Sequence, residues 1–224
     1  MDVLLGTQLA AVIYMKRNQI LILVAVVLLG TASYTWWHNT QPPALPSLGP
    51  EIQERFQGAG RILASESAKV LPPHTTVIIC KQPGKVFIPV NELIGLTAGL
   101  KDAGMTVEDG GTMTFAWEGG QPVYYLTPDQ YAAIQRHTPP VSGIITFGGM
   151  PSPDTAKTIL ASETHPKVIV IDEELRRVAP LLDSGAVNWA AVQRSGPVTL
   201  PRPEPKTPQE QFDASFVIVR GKAQ

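Results

Sequence analysis

The sequence predicts an α/β protein, in which a single N-terminal transmembrane helix precedes one three-layer domain with a mostly parallel sheet and an added β-hairpin. Short, apolar, β-branched runs such as Thr75–Cys80 and Lys167–Ile171 are typical of strands buried on both faces. Amphipathic segments alternate with these runs at the spacing of parallel βαβ units. An uncharged run, from Asn18 to Pro50, comes before all of them.

The N-terminal run contains a stretch with the length of a membrane span. Between Ile20 and Trp37 there are about eighteen residues without a charge, close to the ~20 that cross the hydrocarbon of a bilayer. Its centre, Ile20–Leu29, lacks the polar stripe that a surface helix of a soluble protein would show. We therefore predict a transmembrane signal-anchor over residues 19–37, through which the chain contacts the membrane.

The charges beside this stretch predict its orientation. Lys16 and Arg17 precede it, and no basic residue follows it until Arg55. The positive-inside rule then places residues 1–18 in the cytoplasm and the domain outside. The prediction is a single-pass protein of the inner (cytoplasmic) membrane whose C-terminal domain is extracytoplasmic.

Two alternatives at the N-terminus stay open. Small residues at Gly30-Thr31-Ala32 suit cleavage by a signal peptidase near Ala32, which would give a periplasmic or secreted protein. Met15, directly before the two basic residues, would also give an ordinary signal-like start, so either Met1 or Met15 is the first residue of the native chain.

The rest of the chain divides into a linker and one domain. Residues 38–50 are rich in proline and free of charge, which predicts a semi-rigid spacer. Residues 51–224 are enough for one domain with a full core and too few for two substantial ones.

Apolar periodicity predicts the helices of this domain, which begin at residues able to cap them and end at glycine or proline. In chain order they span 51 to about 70, 91–103, 127 to about 137, 152 to about 163, and 172–185 in two pieces broken at Pro180.

Extended apolar runs predict the strands, and residues 195–208 read as a proline-rich connector. Gly119 and Gly120 lie between two of these runs and can supply the positive φ angles of a hairpin turn. The predicted strands are Thr75–Cys80, Met105–Val107, Thr112–Trp117, Pro122–Leu126, Ser142–Phe147, Lys167–Ile171, Val187–Gln193 and Ser215–Arg220.

Charge, cysteine content and missing motifs limit the function. The net charge of −1 gives no support to a nucleic-acid partner, so none is predicted. The one cysteine, Cys80, fits a small buried hydrophobe better than a catalytic thiol, which would need an electropositive setting. Because the chain has no Walker loop, nucleophile elbow, dinucleotide fingerprint or metal-ligand spacing, we predict no cofactor and no metal.

Ligands of open α/β sheets bind beyond the carboxyl ends of the strands, and three loops of this chain follow such ends. Two glycines before Ser152 can form an anion-binding nest at a helix N-terminus, or simply a tight turn and a cap. Asp172 with the two glutamates after it can be an acid–base or metal cluster, or a helix cap with favourable first-turn charges. The candidate ligand-binding residues are Lys81, Gln82, Lys85, Gly148, Gly149, Ser152 and Asp172.

Aromatic residues on the predicted hairpin allow two interpretations. Trp117, Tyr124 and Tyr125 can form an exposed contact surface, although alternate aromatics on a strand are more often half-buried packing.

These observations favour a membrane-anchored binding or scaffold module of the cell envelope over an enzyme. Its predicted partner is an envelope protein or a small anionic ligand. The alternation of elements loosely resembles one lobe of a periplasmic solute-binding protein, although two lobes would need roughly twice the residues. The alternative is an anchored envelope hydrolase or transferase that acts on an anionic substrate at the carboxyl edge of the sheet.

Overall fold

The computed structural model describes residues 49–83, 87–194 and 204–221, all of which belong to one compact unit of the chain. The predicted cytoplasmic segment, the signal-anchor and nearly all of the linker lie outside the described residues. Among the helices of the described ranges, none has both the length and the apolar character of a membrane span.

A six-stranded sheet forms the middle layer of the domain, in the order β2-β1-β5-β7-β8-β9. Neighbouring strands are parallel except for the last pair, β8 and β9. The predicted α/β fold with a mostly parallel sheet is therefore confirmed. In chain order the strands are β1 (Thr76–Lys81), β2 (Thr106–Thr112), β3 (Thr114–Glu118), β4 (Gln121–Leu126), β5 (Val141–Phe147), β6 (Met150–Pro151), β7 (Lys167–Glu173), β8 (Trp189–Gln193) and β9 (Phe216–Arg220).

Helices cover both faces of this sheet. Successive residues of β1 point to opposite sides, so that Val77 belongs to one buried cluster and Ile78 to the other. The first cluster includes side chains of α1 (Pro50–Ala68), α2 (Phe87–Asp102) and α6 (Pro208–Ser215). The second includes side chains of α3 (Pro128–Gln135), α4 (Pro153–Leu160) and α5 (Leu175–Ser184).

Helices α1 and α2 touch through their backbones and run parallel. A methyl group added at Gly60 would overlap the carbonyl oxygen of Glu92, and one added at Gly95 would overlap that of Gln57. Further along, Arg61 forms an ion pair with Asp102. Because α2 follows β1, it begins at the carboxyl edge of the sheet, and α1 therefore begins there too.

The structure corrects the predicted start and break of α5. Asp172 and Glu173 continue β7 instead of opening a helix, and the helix begins at Leu175. Pro180 lies inside one continuous helix, where the prediction placed a break. Pro180 is exposed, so water can bond the carbonyl that its missing N–H leaves unpaired.

The structure also adds two elements and corrects the start of α2. The predicted hairpin is present as β3–β4, and it forms a second, three-stranded sheet with β6, a strand that the sequence analysis missed. The sequence analysis also missed α6, although Thr207 and Glu210 form a capping box at its start. The predicted cap at Asn91 is wrong, because α2 begins at Phe87.

Cys80 is expected to be unreactive in the folded protein. Its side chain is fully buried, and its thiol donates a weak hydrogen bond to the carbonyl of Gly110 (3.9 Å). Burial, and secondarily the charge of Asp109, raises the pKa of the thiol to about 12, so almost no thiolate forms near neutral pH. Iodoacetamide labelling followed by intact-mass measurement should give a modified chain only in denaturant; rapid labelling of the folded chain would contradict this arrangement.

Candidate functional site

The strand order of the main sheet reverses around β1. The chain moves from β1 to β2 on one side, whereas the next strand of the sheet, β5, lies on the other side of β1. Such a switch point leaves a crevice beyond the carboxyl ends of the strands, where ligands of open α/β sheets bind. The carboxyl edge near β1, β5 and β7 is therefore the candidate site.

Asp172 lies at this edge on a β-bulge of β7. The register with β8 shifts between Ile171 and Glu173, and Asp172 adopts a left-handed conformation with φ 65°. Aspartate tolerates this conformation better than most residues, and bulges often aim a side chain near a functional site. The side-chain amide of Gln193, at the end of β8, donates a hydrogen bond to Asp172 Oδ1 (2.7 Å).

Glu92 is the second acidic residue here, and it is buried. It lies in the second turn of α2 with 2% of its surface exposed, and its Oε1 has no hydrogen-bond partner in the part of the chain that the structure describes. Burial, followed by the negative charge of Asp172, raises the pKa of Glu92 well above its usual value. We refer to Glu92 and Asp172 as the acidic pair.

The pKa of Asp172 is raised as well. Burial is the main cause, and the hydrogen bond from Gln193 opposes it. Two carboxyl groups that interact in a desolvated setting favour a state in which one of them keeps its proton. The acidic pair can therefore offer a hydrogen-bond donor and several acceptors at the same time.

The acidic pair combines one predicted residue with one that sequence reasoning missed. Asp172 was a candidate because it follows a predicted strand, whereas Glu92 was not, because it lies inside a predicted helix. A signal was present: Glu92 lies four residues before Leu96 and eight before Leu100, on the buried face of an otherwise apolar helix.

The candidate residues at the end of β1 have partners other than the acidic pair. Lys81 forms an exposed ion pair with Asp109 (Nζ to Oδ2, 2.6 Å). The backbone N–H of Gln82 donates to the carbonyl of Phe147 (3.1 Å), which joins the ends of β1 and β5. Lys85 lies outside the described residues.

The glycine loop after β5 uses its polar groups within the fold. Gly148 has φ 73°, and its N–H donates to the carbonyl of Ile171 (2.8 Å). Gly149 packs under Tyr124, whose carbonyl oxygen would lie 2.7 Å from an added methyl group. The hydroxyl of Ser152 caps α4 by accepting from the N–H of Thr155 (3.1 Å).

The glutamates after Asp172 have different partners from it. Glu173 is 8% exposed, accepts a hydrogen bond from the N–H of Glu174 (3.0 Å) and lies 3.6 Å from Arg177. Burial raises the pKa of Glu173, with the bond from Glu174 opposing it. In the described ranges, no three His, Cys, Asp or Glu side chains are grouped so that they could hold a metal ion.

Two cavities of the domain lie beside this edge but do not include the acidic pair. One, of about 250 Å³, is lined by residues of β1, β2 and α2, including Leu93 and Asp109. The other, of about 520 Å³, lies between the start of α1 and the segment before α6, with Arg55 and Glu204 in its wall. Glu92 is buried in α2, whereas the side chain of Asp172 is partly exposed at the end of β7.

Comparisons with known proteins give similarity at the level of fold. No protein-family model and no curated protein matches the sequence. The chain is similar to the solved structure of the XylFII molecule (TM-score 0.48, 13% identity, 75% of this chain and 61% of that chain). It is also similar to GanP, a glucose-galactose binding protein from Geobacillus stearothermophilus (0.47, 15%, 81% and 65%).

A third similar structure is a solute-binding protein of an ABC transporter from Burkholderia graminis, in complex with D-arabinose (TM-score 0.48, 16% identity, 73% of this chain and 59% of that chain). The chain thus spans about three fifths of the length of these proteins.

Proposed function

We propose that this chain is a membrane-anchored binding module of the cell envelope, whose extracytoplasmic α/β domain holds a small, neutral, hydroxyl-rich ligand at the carboxyl edge of its sheet. One observation carries the proposal: Glu92 Oε1 is buried beside Asp172 and has no hydrogen-bond partner among the described residues. A buried polar atom without a partner costs roughly 1–3 kcal/mol. A ligand hydroxyl that bonds it offsets this cost.

The chemistry of the acidic pair favours hydroxyls over other groups. With one proton on the pair, the site both donates and accepts hydrogen bonds, as hydroxyl groups do. The carboxamide of Gln193, which already donates to Asp172, has the same double capacity. An ammonium group, which only donates, would use just the acceptors of the pair.

An anionic ligand fits this geometry less well. The acidic pair repels negative charge, Lys81 is already paired with Asp109, and the N–H of Gly148 is bonded to Ile171. These contacts leave an anion few donors at the described part of the edge. We therefore propose a neutral ligand in place of the anionic one that the sequence suggested.

A ligand of this class is expected to stabilise the protein. D-glucose, D-arabinose and myo-inositol are suitable probes, added to the full chain in detergent. A ligand at about 100 times its Kd stabilises by about 2.7 kcal/mol, which corresponds to a rise in Tm of several degrees for a domain of this size. Differential scanning fluorimetry measures the shift.

Matched variants localise the effect. Glu92→Gln and Asp172→Asn should each reduce the Tm shift, whereas Asp109→Asn, the same chemical change at the same edge of the sheet, should leave it intact. Shifts produced only by succinate or phosphate, or an undiminished shift in Glu92→Gln, would contradict the proposal.

A second candidate function is an anchored envelope hydrolase or transferase. The observation that favours it is a buried acid of raised pKa beside a second carboxyl group, which is how general acid–base catalysts are built. This candidate requires a bound glycoside or ester to be converted. Product detected by mass spectrometry after incubation, and absent with Glu92→Gln, would favour it over binding alone.

A further inference from the structure

The hairpin β3–β4 presents an exposed aromatic face. Phe115 and Trp117 alternate on β3 and point to one side, opposite Tyr124 and Pro122 of β4. Trp117 is 69% exposed and Phe115 is 52% exposed. The rings of Phe115 and Trp117 meet edge-to-face at 6.3 Å, and those of Phe115 and Tyr124 lie 6.2 Å apart. We call these four residues the aromatic face.

The aromatic face carries no charge, because the acidic side chain of the hairpin lies on the other side. Glu118 accepts a hydrogen bond from the hydroxyl of Tyr125, and both belong to the side of the hairpin that contains the buried Val123. One side of the hairpin therefore packs on the domain, while the other exposes the rings of Phe115 and Trp117 beside the half-buried Tyr124, without an ionic group among them.

The hairpin and the start of the domain lie at the same end of the sheet. The N–H of Met113, just before β3, donates to the carbonyl of Lys81 at the end of β1 (2.8 Å), so the hairpin leaves from the carboxyl edge. Helix α1 also begins at this edge, as its parallel packing on α2 requires. The linker, residues 38–50, joins α1 there and spans at most about 40 Å if it is extended at 3.1 Å per residue.

We propose that the aromatic face docks onto the headgroup region of the lipid bilayer that holds the anchor. This inference rests on the anchor at residues 19–37 in the proposed function. Tryptophan and tyrosine favour the membrane–water interface, where a ring can be half in hydrocarbon and half in water. A short tether keeps the local concentration of bilayer surface high, so that a few exposed rings are enough for docking. The absence of charge on the face fits zwitterionic lipid.

A second copy of the chain is a poorer occupant. Two aromatic faces brought together would bury a few rings on each side, well below the roughly 800 Å² per partner of a stable interface. The bilayer needs no complementary surface and is already within reach of the linker.

Fluorescence of Trp117 in nanodiscs tests the inference. The full chain carrying Trp36→Phe and Trp37→Phe retains Trp117 and the buried Trp189. It is placed in phosphatidylcholine nanodiscs with or without bromine on the upper part of the acyl chains. Emission from Trp117 should be about twofold lower with brominated lipid, because the docked ring lies at the membrane interface. Bromine on the acyl chains quenches only rings that come close to it. Adding Trp117→Phe should abolish the difference.

A reporter at the far end of the domain is the control. Leu160 is 43% exposed at the end of α4, a helix that runs away from the carboxyl edge. Leu160→Trp, with Trp117→Phe, should show no bromine quenching. If bromine does not quench Trp117 in chains that the nanodiscs retain, docking is overturned. Quenching by acrylamide, a water-soluble quencher, would then show that the ring faces solvent, and protection from acrylamide would show that a second copy covers it. If the chain leaves the nanodiscs, the anchor fails and the docking fails with it, whereas the ligand-dependent Tm shift would still stand.

Discussion

Gly60→Ala is expected to lower the free energy of unfolding by about 3 kcal/mol, the upper range for overpacking of a core. The added methyl group would overlap the carbonyl oxygen of Glu92 and lie 2.7 Å from the amide nitrogen of Leu96. Both atoms belong to the backbone of α2, so no side chain can move aside. The two helices must separate, which opens the cluster that contains Leu63 and Leu100. Urea unfolding of the detergent-solubilised full chain, followed by circular dichroism, measures the loss.

The sign of this effect distinguishes helix contact from helix propensity. In a helix without close neighbours, alanine is favoured over glycine by about 1 kcal/mol, so propensity alone predicts stabilisation. Ser65→Ala, at an exposed position of the same helix, is the control and should change stability by less than about 0.5 kcal/mol. If Gly60→Ala is as stable as the wild type, the backbone contact between α1 and α2 is wrong.

The layered fold could be predicted because the central strands of its main sheet are apolar on both faces. The residues of β1 and β5 do not alternate between apolar and polar. A continuous apolar run is needed only in a strand that helices cover on both faces. The prediction for β7 ended at Ile171, where the apolar run ends, although the ladder continues through the bulge at Asp172. A bulge is fixed by pairing with a neighbouring strand, and such pairing leaves no local pattern in the sequence.

The candidate site was predicted only in part, for the same reason. The rule that ligands bind at the carboxyl edge selected Asp172 among the loop residues. Its partners, Glu92 in a helix and Gln193 in a strand, reach the edge through tertiary packing. The glycine loop had the residues of an anion site, but Gly148 and Ser152 use their groups in the turn and the cap.

The hairpin shows that alternating aromatic residues on a strand do not predict which of them are buried. Alternate aromatics on β3 and β4 are compatible with packing and with exposure, and the structure contains both: Trp117 is exposed, whereas Tyr124 and Tyr125 are half-buried against the second cluster. Which face of a two-stranded ribbon meets the core depends on its attachment to β6, a two-residue strand too short to predict.

Glu92→Gln is expected to make the protein less sensitive to alkaline pH. The pKa of Glu92 in the folded state lies well above its ordinary value, so between the two pKa values the folded state binds more protons than the unfolded state. Stability therefore falls as pH rises from the unfolded-state pKa toward the folded-state pKa. Glutamine does not titrate and removes this fall. At about pH 9 the variant should exceed the wild type by roughly 1–3 kcal/mol, the cost of an unsatisfied buried polar group.

The pH series itself separates a buried acid from a simple change of net charge. At about pH 4, below the unfolded-state pKa, the wild-type acid is protonated in both states and the advantage of the variant should vanish. Glu163→Gln, which removes an exposed glutamate, is the matched control for charge, and urea unfolding from about pH 4 to about pH 9 measures all three proteins. Parallel curves for the wild type and Glu92→Gln would mean that the Glu92 carboxylate has partners in the ligand-free chain. A ligand hydroxyl would then add no stabilising hydrogen bond at this atom. That result would contradict the ligand proposal, which depends on an acceptor without a partner in the fold.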